Sequence, residues 1–318
     1  MSISCDPAAL VRAAEFFQCV PKGSRRWVRA YLLCQFMNKN IVDPVAMDWT
    51  RRVVANGGPS PSVGTQTAMS TFVLCLRAAG LEAQMIAVNC FAPDSIVAAQ
   101  TPLYVGGGSD PWVLSAPATP ANLDKNGWHT PDGLGGFIFF KTGIIPSAVP
   151  SLSANNGGLT LYTTVLANGA SSTASPMGCD DFGSKFMNLD IGTTAGATYA
   201  SALNQNSGFA STAKVTIALP TVPGYYSANR ISNTQNDLYF ATSTSPHASI
   251  ATSVAANPNG PCTQQVAVGT MNNGNVFNTP GTHVFSFAAI HNGLTAVQSA
   301  ALFACVQALR QFFGGGFL

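Results

Sequence analysis

The chain has 318 residues, of which 47% are hydrophobic and only 9% are charged, and its formal net charge is +2. Intrinsic disorder requires few apolar residues and a high net charge, so this composition excludes disorder for the bulk of the chain. Ordinary soluble domains have a charged fraction of about 25%. The low fraction here predicts that other chains cover much of the surface.

Charge is divided unevenly along the chain. Nine basic and four acidic residues lie at or before Arg77, whereas six basic and nine acidic residues follow it. The densest basic cluster, at Lys22, Arg25, Arg26 and Arg29, could touch a phosphate backbone. Such a cluster is more often a solvated helix face or a subunit contact. We therefore expect no nucleic acid as the main partner.

The beginning of the chain lacks the pattern of a signal peptide, since no basic region followed by an apolar stretch precedes Arg12. No segment reaches the roughly 18 uncharged apolar residues of a membrane-spanning helix. We expect no membrane partner and assembly in a cytoplasm, or export without such a signal.

Residues 1–80 predict four helices. Asp6 and Asp43 each precede a proline, which is the pattern of an N-cap followed by the first helical residue. Ser24 can cap the second helix, and Gly80 ends a fourth helix that spans about 65–79. The second helix carries apolar residues at helical spacing, namely Trp27, Val28, Tyr31, Leu32 and Phe36.

Beyond residue 85, short apolar alternations separated by Gly, Asn, Ser, Thr and Pro predict an antiparallel β-sandwich. The predicted strands are 85–91, 159–165, 186–191, 215–219, 225–230, 238–242, 265–268 and 284–289. We expect residues 1 to about 80 to be mainly helical and residues 85 to about 290 to be mainly antiparallel β.

A last helix follows this β region. Thr295 and Gln298 form the pattern of a capping box. An apolar stripe then follows at helical spacing, formed by Leu302, Phe303, Val306, Leu309 and Phe313. We expect this stripe to lie against the sandwich of its own chain, the alternative being that it faces a neighbouring subunit.

The eight cysteines form no C-x-x-C pair and no zinc spacing. They are Cys5, Cys19, Cys34, Cys75, Cys90, Cys179, Cys262 and Cys305. Several lie in apolar runs, which favours buried free thiols. Disulfides that form after lysis of a host are the alternative.

Several segments together resemble a known family. They are 53–58, 76–81, 88–91, 102–106, 224–233, 237–240, 266–275, 283–295 and 301–307. From about residue 53 onward the chain resembles the concanavalin A-like (laminin-G-like) modules of bacteriophage structural proteins. The resemblance implies a concanavalin A-like jelly-roll sandwich over 81–318, after a helical N-terminal assembly segment over 1–80.

Catalysis is not indicated by the titratable residues. Many sandwiches of this fold cleave sugars with two carboxylates, but Glu15 and Glu82, the two glutamates, both precede the predicted sheet. Asp180 and Asp181 are adjacent and are interpreted as solvated turn acids. Four histidines, His129, His247, His283 and His291, lack a nucleophile motif, and His283 and His291 are interpreted as edge or turn residues.

Ligand sites are also weakly indicated. Asp180, Asp181, Asp190 and Asp237 could supply calcium ligands, but they lack the spacing of a calcium loop. Metal-free sugar binding would use an exposed aromatic side chain. The candidates for this role, for each of which core packing is the default interpretation, are Trp112, Trp128, Tyr225 and Tyr226.

The sequence thus predicts a non-enzymatic structural component of a tailed-phage virion that self-assembles through its N-terminal helices. We expect no cofactor and no catalytic or metal-binding residue. Its expected partners are copies of itself and other virion proteins. The alternatives are a phage adhesin that binds host-surface glycans and, less favoured, a glycan depolymerase.

Overall fold

The structure is a computed structural model that describes most of the chain beyond residue 41. The described residues are 42–131, 136–165, 176–182, 184–191, 198–206, 215–218, 223–242, 246–253, 260–278 and 282–314. The first two predicted helices, the basic cluster at Lys22–Arg29 and Cys5, Cys19 and Cys34 lie outside them. Among the described helices, none is long and apolar enough to cross a membrane.

Four α-helices lie within the described part of the chain. They are α1 (Pro44–Ala55), α2 (Val63–Ala78), α3 (Ile96–Gln100) and α4 (Ala296–Phe312). Asp43 caps α1, because its side chain accepts a hydrogen bond of 2.9 Å from the Val45 amide. Gly80, at a φ of +68°, follows α2 in the left-handed conformation that ends helices. Both predicted signals are confirmed.

Sheet A, the first of two sheets, is antiparallel throughout. Its strands are β1 (Met85–Asn89), β3 (Leu123–Asp124), β4 (Gly127–His129), β6 (Gly157–Val165), β11 (Gly224–Ser232), β12 (Gln235–Ala241), β13 (Ala248–Ser253) and β17 (Val284–His291). They lie in the order β13-β12-β11-β6-β17-β4-β3, with β1 also paired to β17.

The strands of sheet B are β2 (Val113–Leu114), β5 (Phe140–Lys141), β7 (Met177–Asp180), β8 (Lys185–Ile191), β9 (Thr198–Asn206), β10 (Val215–Ala218), β14 (Ala267–Val268), β15 (Met271–Asn273) and β16 (Val276–Asn278). They lie in the order β10-β9-β8-β7-β14-β5-β2, with the hairpin β15–β16 attached to β7. All pairs are antiparallel except β15 with β7. The predicted class, a mainly antiparallel β-sandwich with N-terminal helices and a C-terminal helix, is confirmed.

The main core lies between the two sheets and follows from alternation along the strands. Leu159 and Leu161 of β6 point into it, together with Tyr226 of β11 and Phe285 of β17. Trp112, Trp128 and Phe140 belong to the same core, and the rings of Trp128 and Phe140 lie 4.7 Å apart between centroids.

A second core covers the other face of sheet A. Tyr162, Tyr225 and Phe287 point outward from that sheet and pack against α1, α2 and α4. Leu302, Val306, Leu309 and Phe313 are buried there, and Phe303 is half-buried against Tyr225. The prediction that the last helix docks within its own chain is therefore confirmed, as is its capping box at Thr295 and Gln298. The division of the chain at residue 80 stays a prediction.

The described cysteines include one disulfide-bonded pair and three free thiols. Cys75 of α2 and Cys305 of α4 form a disulfide bond, so the expectation of free thiols is wrong for this pair. The reason is that two antiparallel helices bring residues 230 positions apart in sequence side by side. Cys90, Cys179 and Cys262 are buried free thiols, as predicted.

Candidate functional site

The carboxylates that could act in glycoside cleavage are held by other side chains. Glu82 receives two hydrogen bonds from the Arg77 guanidinium, at 2.6 and 2.9 Å, and one from the Tyr104 hydroxyl at 3.0 Å. Arg77 also forms an ion pair with Asp43. The group joins the start of α1 to the end of α2, which is a structural role. Glu15 lies outside the described residues.

Asp180 and Asp181 are not solvated, contrary to the prediction, because both are at least 92% buried. The Asp181 carboxylate accepts hydrogen bonds from the amides of Thr263 and Gln264, from the Thr263 hydroxyl and from the Cys262 thiol. These donors occupy both oxygens of the carboxylate. Asp181 therefore fixes the loop that precedes β14 to the end of β7.

Two of the histidines, His283 and His291, are fully buried. His283 directly precedes β17, as predicted, whereas His291 is the last residue of that strand and pairs with β1 and β6, so its assignment to a turn or an edge is wrong. Desolvation lowers the pKa of each histidine to about 4. His291 ends β17, and its Nδ1 lies 2.7 Å from the Asn292 carbonyl, which fixes the proton on Nδ1. Its Nε2 then accepts from the Thr160 hydroxyl at 2.7 Å, within a buried network that continues to Ser227.

His247 forms a second pairing that resembles a nucleophile with its base. Its Nε2 lies 3.0 Å from the Ser299 hydroxyl, and its ring stacks on Tyr239 and Phe303. Ser299, however, lies on the fully buried face of α4, and the Tyr225 hydroxyl also contacts it. A substrate cannot reach that oxygen, so the pair serves to dock α4 on sheet A. His129 lies on β4, 3.0 Å from Asp124.

Metal ligands do not converge among the described residues, where no group of three or more His, Cys, Asp or Glu side chains could hold an ion. Asp237 lies on β12 of sheet A, and its carboxylate is bonded by Gln235, Tyr239 and Thr252. Asp180 and Asp181 belong to sheet B. The side chain of Asp190 lies outside the described residues. The candidate calcium ligands therefore lie on different sheets.

The four aromatic candidates for sugar binding are all in the cores. Trp112, Trp128, Tyr225 and Tyr226 each have no exposed surface. Core packing, the default interpretation for them, is therefore confirmed, and none can stack on a ligand.

An exposed aromatic residue that the sequence did not single out lies at the end of β7. Phe182 is 75% exposed and adopts a φ of +52°, a left-handed conformation that is rare for a bulky residue. Its ring lies over Gly274 in the turn between β15 and β16, where a Cβ atom would overlap the ring. We call Phe182, Gly274 and Asn275 the aromatic tip.

Neighbouring contacts fix the geometry of the aromatic tip. The Gly274 amide donates to the Asp180 carbonyl at 3.1 Å, and the Asn275 amide donates to the Asn272 side chain at 2.9 Å. On the same hairpin, Phe277 packs against Phe139 with centroids 4.7 Å apart, and Lys141 lies over its ring at 5.0 Å. The tip is thus a rigid, solvent-facing aromatic surface beside an exposed asparagine.

The sequence signal for this residue is the run Asp180-Asp181-Phe182-Gly183. Turns between strands favour Gly, Asn, Asp and Ser, each for a conformational reason. An aromatic residue in such a run gains nothing from the turn itself, which indicates a role for its ring.

Comparisons with known proteins give only distant similarity. No family model matches the sequence, and no curated protein matches it. Solved structures that match include the CBM40 domain of IT-sialidase from Ruminococcus gnavus. It is 13% identical, with 47% of this chain and 83% of that chain covered and a TM-score of 0.35.

Two further structures extend this set. Domain 4 of a GH43 extracellular arabinanase from Geobacillus stearothermophilus, solved with arabinotriose, is 14% identical, with coverage of 70% and 99% and a TM-score of 0.41. A tailspike protein of an Escherichia coli bacteriophage is 13% identical, with coverage of 53% and 25% and a TM-score of 0.34. These similarities are to carbohydrate-binding or sugar-active proteins and one phage tailspike.

Proposed function

We propose that this chain is a non-enzymatic component of a phage virion that binds host-surface glycans through the aromatic tip. The observation that carries the binding role is Phe182, whose ring is 75% exposed on a backbone held in the left-handed region. Residues in strained conformations cluster at active sites and ligand-binding sites, where the surrounding structure holds them in place.

The chemistry of the tip suits a sugar. The face of an aromatic ring carries negative partial charge, and it attracts the C–H groups on the flat face of a pyranose. Asn275, exposed beside the ring, offers an amide that can both donate to and accept from hydroxyl groups. The tip carries no charged side chain of its own, which favours a neutral sugar face over an ionic group.

The absence of enzymatic activity is part of the proposal. Glu82 is bound by Arg77, and the Asp181 carboxylate is occupied by backbone and side-chain donors. Neither carboxylate is placed to protonate a glycosidic oxygen at the aromatic tip. Incubation of the chain with host polysaccharide should therefore release no reducing ends.

The test is binding of the full chain to an array of bacterial surface glycans, followed by titration of the best ligand. Phe182→Ala should weaken binding by at least about tenfold, as removal of a central aromatic contact does. Val54→Ala is the control, because Val54 is also an exposed apolar residue but lies on α1. Absence of any bound glycan, or equal loss in both variants, would contradict the proposal.

A second candidate function, virion assembly through the N-terminal helices, is favoured by the apolar surface. Only 9% of the residues are charged, and Val63 and Phe312 remain 78% and 49% exposed on the helical layer. The chain would then be assembled in the bacterial host cytoplasm with copies of itself and other virion proteins. Mass spectrometry of purified particles tests the location, and light scattering of the pure chain tests self-association.

A further inference from the structure

The helical layer contains an apolar groove between α2 and α4. The groove has a volume of about 340 Å³. Its walls include Ala68 and Phe72 of α2 and Ala308 and Leu309 of α4, and the Cys75–Cys305 disulfide lies within it. The described residues that line it carry no charge. A groove of this size and composition fits large apolar side chains.

The groove is formed before any partner arrives. The disulfide bond joins its two walls covalently. At the rim, the ring of Phe312 lies close to Gly64, where an added Cβ would be 3.6 Å away. A preformed groove binds with little loss of conformational freedom, since its walls need not be ordered on binding.

The sequence supplies a segment of matching chemistry. Residues 1–41 lie outside the described part of the chain, and their apolar residues recur at helical spacing. In residues 24–36, Trp27 and Tyr31 are four positions apart, so a helix would place both on one face. We propose that this segment of one copy docks in the α2–α4 groove of a neighbouring copy.

The point where the chain enters the structure favours a neighbour over the same copy. The Asp43 amide donates to Ser70 at 2.7 Å, and the Asp43 carboxylate pairs with Arg77. Ser70 is two residues from Phe72 along α2, and Arg77 is two residues from Cys75. Both Phe72 and Cys75 line the groove. Two residues are about 200° around a helix. The segment therefore leaves from a side of α2 that does not line the groove.

The donor is the N-terminal segment of one copy, and the receptor is the α2–α4 groove of the next copy. Because these are two different surfaces of the chain, the contact between copies is head-to-tail. Repetition of such a contact builds a ring where the rotation closes and a filament where it does not. This inference rests on the proposed assembly role and is independent of glycan binding. To the assembly role it adds the receptor surface, which is the α2–α4 groove, and the segment that binds there, which is residues 24–36.

The test uses two full-length variants that disable opposite partners of the contact. Ala308→Glu places a charge in the groove at a half-buried position, and Trp27→Glu/Tyr31→Glu removes the apolar face of the segment. Val297→Glu is the control, because Val297 is 74% exposed at the other end of α4. Circular dichroism and thermal melting confirm that each variant is folded before its mass is measured by light scattering.

We expect the unaltered chain and Val297→Glu to assemble, and each disabling variant to lose assembly by at least about tenfold, since an unpaired charge in an apolar groove is costly. An equimolar mixture of the two disabled variants should form a two-chain complex, since one retains the groove and the other retains the segment. Assembly by Ala308→Glu, a monomeric unaltered chain, or a mixture that stays monomeric would each overturn the inference. Glycan titration of Ala308→Glu should be unchanged, which separates this result from the binding role of Phe182.

Discussion

The helix-covered face of sheet A and the aromatic tip of sheet B place aromatic rings in opposite environments. Under the helices, Tyr162, Tyr225 and Phe287 are completely buried, and a disulfide bond closes the layer above them. At the tip, Phe182 is 75% exposed on an unfavourable backbone conformation. The buried rings stabilise the helix-covered face of sheet A. The aromatic tip, in contrast, is destabilised by the backbone conformation that exposes the ring of Phe182. Exposure of an aromatic ring that the fold does not need is the better indicator of function.

The largest expected effect comes from breaking the helix-covered face. Val306 has no exposed surface. Val306→Asp would bury an unpaired carboxylate at a cost of several kcal/mol, comparable to the 5–15 kcal/mol that roughly bounds the stability of a whole domain. We expect the variant to be unfolded or insoluble, as measured by circular dichroism and yield of soluble protein.

Val297→Asp is the control for this substitution on the same helix. Val297 is 74% exposed in the first turn, where a carboxylate also interacts favourably with the helix dipole. A folded Val306→Asp variant would show that α4 does not depend on its contact with sheet A.

Prediction of the fold from sequence succeeded where apolar periodicity was strong. The stripe of α4 and the alternation in β6 and β17 define a buried face whatever surrounds them. Strands β9 (Thr198–Asn206) and β13 (Ala248–Ser253) were not predicted, since they consist largely of Ala, Ser, Thr and Asn. Their pairing depends on neighbouring strands, which a local pattern does not contain.

Prediction of the candidate site was weaker for a related reason. Asp181 was assigned to a solvated turn and His291 to a turn or an edge, because polar residues are usually exposed. Their burial depends on donors and acceptors that are distant in sequence, such as Thr263 for Asp181 and Thr160 for His291. Phe182 was overlooked because an aromatic residue is usually part of a core, and only the structure shows its exposure.

The disulfide bond allows the contribution of the helical layer to be measured with less damage. A bond that closes a loop of this length stabilises a protein by about 3–5 kcal/mol, largely by restricting the unfolded chain. Cys75→Ser/Cys305→Ser should lower the free energy of unfolding by that amount in urea titrations without reductant. Dithiothreitol should lower the stability of the unaltered chain and leave the variant unchanged. Equal urea midpoints for the two proteins would contradict this.

Acid should weaken the buried polar network beneath the helices. Desolvation holds the pKa of His291 at about 4, against 6.5 for a solvated histidine. Between pH 6.5 and pH 4 the unfolded state binds a proton on this histidine and the folded state does not. The free energy of unfolding is therefore unaffected above pH 6.5 and decreases as the pH falls from 6.5 towards 4. At pH 5 this histidine lowers the free energy of unfolding by about 2 kcal/mol relative to its value well above pH 6.5.

Urea titrations of the unaltered chain at pH 7.5 and 5.0 measure this loss. His291→Gln, which keeps an acceptor for the Thr160 hydroxyl but does not titrate in this range, should show a smaller difference between the two pH values. His283, whose pKa burial also lowers to about 4, remains in that variant and accounts for part of the residual dependence. An unchanged difference in His291→Gln would show that His291 is not responsible.

The smallest effect on the free energy of unfolding is expected at the aromatic tip. The left-handed conformation destabilises a residue with a Cβ atom by about 1–2 kcal/mol, whereas glycine adopts it without this cost. Phe182→Gly should therefore be more stable than Phe182→Ala by about 1 kcal/mol, since both lack the ring and only alanine retains the strain. Urea titration measures this difference, and glycan titration should show that both variants have lost binding equally. If Phe182→Gly were no more stable than Phe182→Ala, the backbone at residue 182 would be unstrained, and the ring's exposure alone would be left to support the binding role.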